Sequence, residues 1–133
     1  MNESLRKSGI IAIVDDDQSV REALSSIMKA AGFLTNMFAT AEEFLDSGDR
    51  ESTACLILDL RLPGMSGIEL QRRLSEANSR VPIIFATAHG DASLRDLLIK
   101  SGAAGFLNKP VRGDALLREI YSALEKSRSN QSL

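Results

Sequence analysis

Residues 10–19 read IIAIVDDDQS: five apolar residues run without a break into three aspartates. An apolar run of this length, with no polar alternation, is what a strand buried on both faces of a sheet looks like. Two carboxylates about 4 Å apart near a protein surface repel by about 4 kcal/mol at an effective dielectric near 20. A chain that crowds three of them at the end of a buried strand therefore has something nearby that offsets the repulsion.

Outward from that strand the pattern repeats. Val20, Ala23, Leu24, Ile27, Met28 and Ala31 follow at helical spacing, and Gly32 suits the position just past a helix end. A weaker strand spans residues 33–38, and a short helix spans 41–45 with Phe44 and Leu45 inward. A strong strand covers 54–58 and leads to the turn Leu62-Pro63-Gly64. The next helix runs over about residues 67–76 with Ile68, Leu70 and Leu74 as its apolar positions. A strand at 81–86 tolerates Pro82 near its start. Leu94, Leu97 and Leu98 mark a helix that stops at Gly102, residues 104–107 form a last short strand, and Leu116, Leu117, Ile120 and Leu124 belong to a closing helix. Five strands each followed by a helix predict a doubly wound α/β fold, because parallel neighbours need crossover helices that cover both faces.

Composition narrows the function classes. A chain of 133 residues with 44% hydrophobic content suits one domain that buries its core without disulfides or a structural metal. We read residues 1–126 as that domain, and 127–133 as a polar tail or the start of a linker to an output domain outside this chain. Sixteen basic against eighteen acidic residues, with no basic run, leave no footprint for direct nucleic acid binding or for an anionic membrane. The single cysteine, Cys55, lies in the apolar run TACLIL and reads as a buried structural thiol. The polar N-terminus and the short apolar run after it suit neither a signal peptide nor a membrane span, and a cytoplasmic protein is expected.

Ligands of open α/β sheets bind beyond the carboxyl ends of the strands. Those ends carry Asp15 and Asp16 after the first strand, Asp59 after the third, Thr87 at the end of the fourth and Lys109 after the fifth; the second ends in Ala39 and Thr40, a turn and a helix cap. Three acids at neighbouring strand ends form a hard-oxygen cluster suited to Mg²⁺, which binds through one or two carboxylates, water and a substrate phosphate. Phosphoryl transfer needs a nucleophile in line, positive charge and hydrogen-bond donors around the phosphoryl oxygens. Asp59, Lys109 and Thr87 supply these in turn.

The segments VDDD, LILDLRLPGMSG, ATAHGD and GFLNKP, in this order and at these intervals, resemble the receiver domain of two-component response regulators, and GFLTNMFATAEEFL with ATAHGD resembles the FixJ-type receivers in particular. The resemblance implies a flavodoxin-like sheet of strand order 2-1-3-4-5 with five helices. It implies Asp59 as phosphoacceptor, and Mg²⁺ held by Asp16, Asp59 and the Arg61 carbonyl, with Asp15 acting through water. It makes Thr87 and Phe106 the switch pair and Lys109 the phosphate-pairing lysine, followed by a cis Lys109-Pro110 bond. The side chains of Arg61 and His89 would tune phosphate lifetime. The implied partner is a sensor histidine kinase or phosphotransfer protein, and the implied output is a changed surface on the fourth helix, fifth strand and fifth helix, able to form a homodimer.

Blander readings compete. Asp15 to Asp17 could cap a helix, with Ser19 and Glu22 as a capping box; alongside Asp59 the site reading takes Asp15 and Asp16 and leaves Asp17 in the first turn or facing solvent. Thr87, Lys109 and Phe106 would individually be a β-former, a surface lysine and a core aromatic. Two rival functions are a Mg²⁺-dependent phosphohydrolase of the haloacid-dehalogenase type, with Asp15 and Asp17 as its acid pair, and an interaction module that never takes phosphate.

Overall fold

The structure is a computed structural model that describes residues 9–88, Gly90 and residues 92–131, with side chains to residue 128. Strand β1 (Ile10–Val14) leads to helix α1 (Gln18–Ala30), β2 (Leu34–Phe38) to α2 (Ala41–Asp46), and a 3-10 turn (Arg50–Ser52) to β3 (Thr53–Leu58). Then follow α3 (Gly67–Glu76), β4 (Ile83–Thr87), α4 (Ala92–Lys100), β5 (Gly105–Asn108) and α5 (Gly113–Gln131). All strand pairs are parallel, in the order β2-β1-β3-β4-β5. The predicted doubly wound fold and its strand order are both observed.

Successive side chains of a strand point to opposite faces, so each buried strand feeds two cores. Ile11, Ile13, Cys55, Ile57 and Ile84 meet Leu24 and Met28 of α1 and Leu116 and Ile120 of α5 on one face. Ala12, Val14, Leu56, Leu58 and Phe85 meet Phe44 of α2, Leu70 and Leu74 of α3 and Leu98 of α4 on the other. Among the described residues no helix is long and apolar enough to cross a membrane.

Several local expectations need correction. Ile68 is 49% exposed and Leu97 is 64% exposed. At about 100° per residue, Ile68 stands roughly 200° from the inward Leu70, and Leu97 roughly 100° from the inward Leu98. Pro82 precedes β4 instead of lying in it, and its carbonyl accepts from Leu56 N at 2.9 Å. The capping box on Ser19 and Glu22 does not form: Asp17 is the N-cap of α1, its carboxylate accepting from Ser19 N at 2.9 Å and Val20 N at 3.3 Å. Thr40 caps α2 as expected. Helix α5 continues through Gln131, so residues 127–131 are helical although their sequence carries no apolar stripe.

Candidate functional site

Because every strand is parallel, all five carboxyl ends open on one rim, and the sheet's own hydrogen bonds hold the first residue past three of them. Asp15 N donates to Phe38 O at 3.1 Å, Asp59 N to Val14 O at 3.0 Å, and Lys109 N to Thr87 O at 2.9 Å. These side chains are thus set by ladder geometry and not by loops. Residue exposure is 2% at Asp15, 8% at Asp59 and 1% at Thr87, while Asp16 is exposed.

Lys109 answers the crowding of charge. Its ammonium donates to Asp15 Oδ2 at 2.5 Å and to Asp59 Oδ2 at 2.9 Å. The other oxygen of each acid is also occupied: Asp15 Oδ1 accepts from Asp17 N at 2.9 Å, and Asp59 Oδ1 from Arg61 N at 3.2 Å. Burial pushes the Asp15 carboxyl above the usual carboxylate range, against the opposing pull of Lys109 and the Asp17 amide. Burial pulls the Lys109 ammonium down, but its hydrogen bonds to Asp15 and Asp59 outweigh that and raise it. One lysine offsets only part of the charge of three acids. Asp15, Asp16 and Asp59 each offer an oxygen, all within 4.8 Å of one another. Hard oxygen donors at that spacing, one of them exposed, fit a small divalent cation that keeps several of its waters.

The other expected residues lie around this cluster. The backbone of Arg61 reaches Asp59 through its amide, while its side chain is exposed. Thr87 and Phe85 lie two apart on β4 and share a face; Phe106 pairs with Phe85 and Asn108 with Thr87, so Phe106 lies on the Thr87 face of the sheet. Phe106 is half-buried against the core under α4. The Lys109-Pro110 peptide bond is cis. His89 lies outside the described residues.

Three contributors escaped the sequence reading. The Arg21 guanidinium donates to Asp15 O at 2.8 Å, holding the acidic turn from α1. Glu42 Oε2, on α2, accepts from Met65 N at 3.0 Å and ties down the loop after Asp59, where Gly64 at φ +74° leaves it room. A side chain on Gly67 would collide with the Asp59 carbonyl, so this glycine lets α3 start directly on the backbone of Asp59. Glu42 on Met65 joins distant segments, and Arg21 on Asp15 spans the turn into α1 with no motif to mark it. The one local signal is a glycine at the start of a helix.

A family model described as the response regulator receiver domain matches residues 11–121. The chain belongs to the response regulator receiver family. The receiver is 41% identical over 126 residues to the response regulator protein TodT of Pseudomonas putida, covering 95% of this chain and 56% of that protein. It is 39% identical over 119 residues to the transcriptional regulatory protein FixJ of Bradyrhizobium diazoefficiens, covering 90% of this chain and 58% of FixJ. Among solved structures it is similar to the response regulator StyR, with 41% identity and a TM-score of 0.81 over 94% of this chain and 66% of that one. The receiver spans about half the length of the curated relatives it matches. The FixJ-like resemblance seen in the motifs is thus upheld. Of the acid pair named for the phosphohydrolase reading, Asp17 caps α1 and Asp15 faces Lys109.

Proposed function

We propose that this receiver accepts a phosphoryl group on Asp59 from a sensor histidine kinase or a phosphotransfer protein, in a Mg²⁺-dependent reaction. The observation that carries the reading is the double hold on Asp59: Lys109 at Oδ2 and the Arg61 amide at Oδ1, beside two further carboxylates on the same rim.

In this reading an Asp59 oxygen forms the new O–P bond while the P–N bond of a phosphohistidine breaks. The electron pair stays on the imidazole nitrogen, which takes up a proton. Asp16, Asp59 and the Arg61 carbonyl would hold Mg²⁺ directly and Asp15 through water; when bound, the cation offsets the negative charge shared by acceptor and phosphoryl oxygens. Lys109 moves from pairing carboxylates to pairing a phosphoryl oxygen, and the Thr87 hydroxyl donates to another. The side chains of Arg61 and His89 control how fast water removes the group.

Phosphorylation biases the fold only through contacts that differ between its two states. Those contacts are Lys109 and Thr87 to the phosphoryl oxygens, with Phe106 following Thr87 along their shared face. The surface of α4, β5 and α5 then changes, and a homodimer can form through it. The same reading puts the receiver in the cytoplasm, with no nucleic acid contact of its own.

Intact mass after incubation with acetyl phosphate tests the proposal. A single phosphoryl adduct is expected that requires Mg²⁺ and is absent from Asp59→Asn. An adduct that survives in that variant overturns the assignment of Asp59, and no adduct with no phosphate release favours a module that never takes phosphate.

A further inference from the structure

Gly90, on the loop between β4 and α4, has no conformational reason to be glycine. Gly32, Gly64 and Gly102 have positive φ, a region that side chains disfavour, but Gly90 does not. What excludes a side chain there is a neighbour. A Cβ on Gly90 would overlap Phe106 Cζ, and would lie 2.8 Å from Phe106 Cε1 and 2.9 Å from Asn108 Oδ1. The tip of the Phe106 ring thus occupies the volume that any other residue at position 90 would fill.

We propose that Gly90 is the positioning residue for Phe106: the missing side chain is the clearance that lets the ring rest against the β4–α4 loop, and so sets the bias of the switch before phosphorylation. The inference rests on the reading of Thr87 and Phe106 as a switch pair. The ring has two ways to leave that place. Toward solvent it forfeits its packing against the core that holds Phe85 and Leu98. Along its own sheet face it moves toward Thr87, the diagonal neighbour across the β4–β5 pairing. The second route keeps the ring covered, so crowding position 90 destabilises the resting arrangement relative to the switched one. A group that binds the switched state better gains affinity by the same factor as the population shift.

The test is a double-mutant cycle on the whole chain. Gly90→Ala adds the colliding methyl, and Phe106→Leu removes Cζ and both Cε atoms, the part of the ring that collides, while leaving Asn108 in place. The readout is the affinity for beryllofluoride in the presence of Mg²⁺, a reversible phosphoryl mimic, with thermal unfolding of the unliganded variants alongside. Gly90→Ala is expected to tighten mimic binding by about threefold or more and to lower the unliganded melting temperature, with both effects absent in the Phe106→Leu background. An unchanged or weakened affinity, or the same shift with Leu at 106, overturns the inference; the second result would make Asn108 or the loop itself the contact that matters. If the parent binds no mimic, or Asp59→Asn binds it equally well, the underlying reading of the site fails instead. The unfolding cycle then still decides whether Gly90 makes room for the ring.

Discussion

Cys55 shows how far one side chain's chemistry follows from its place. It sits on β3, fully buried between Ile11, Ile13 and Ile57, and burial pushes its thiol from the ordinary 9.0 up to about 12. An unionised, inaccessible thiol is inert. An aromatic disulfide reagent is expected to label none of the native protein at mildly alkaline pH and one equivalent in denaturing urea; native labelling at the denatured rate would contradict the burial. The same shift fixes a pH dependence. Below pH 9.0 the thiol is protonated whether the chain is folded or not, and its contribution is complete. From there to about 12 the unfolded chain binds fewer protons than the folded one, so stability falls as pH rises. Urea midpoints measured across that window should fall less steeply in Cys55→Ala than in the parent.

The start of α1 separates two sequence signals that look alike. Ser19 with Glu22 has the spacing of a capping box, yet Asp17 does the capping and Ser19 Oγ donates to its carboxylate at 2.7 Å. Asp17→Ala should therefore cost about 1 kcal/mol in urea denaturation, and Ser19→Ala clearly less; equal losses would restore the box. Sequence is legible for elements where one physical requirement dominates. The apolar runs of β1, β3 and β4 had to be strands covered on both faces, and Asp15, Asp59 and Lys109 had to meet because parallel strands end on one rim. It is less legible where periodicity alone speaks. Ile68 and Leu97 are apolar residues off the inward stripe, and the polar last turns of α5 show no pattern although the helix continues through them. Glu42 on Met65, and Gly90 under Phe106, are contacts between segments that only the folded chain brings together.

For the molecule as a whole, the sheet divides the interior into two cores that share strands but touch different helices. Ile120 on α5 lies in one and Ile83 on β4 in the other. Ile120→Val and Ile83→Val should each cost about 0.5–1.5 kcal/mol. Their sum should be recovered in the double variant within about 0.5 kcal/mol, in a single unfolding transition. A shortfall well beyond that would mean the sheet transmits repacking from one side to the other. The chain's formal net charge is −2 at pH 7, the same as that of three aspartates and one lysine at the rim taken together. Every other charge on the molecule therefore cancels in sum. Under the proposed function, a divalent cation seated in this notch would bring the formal charge to zero, and a phosphoryl group arriving afterward would make the molecule an anion again, a change that native electrophoresis would read.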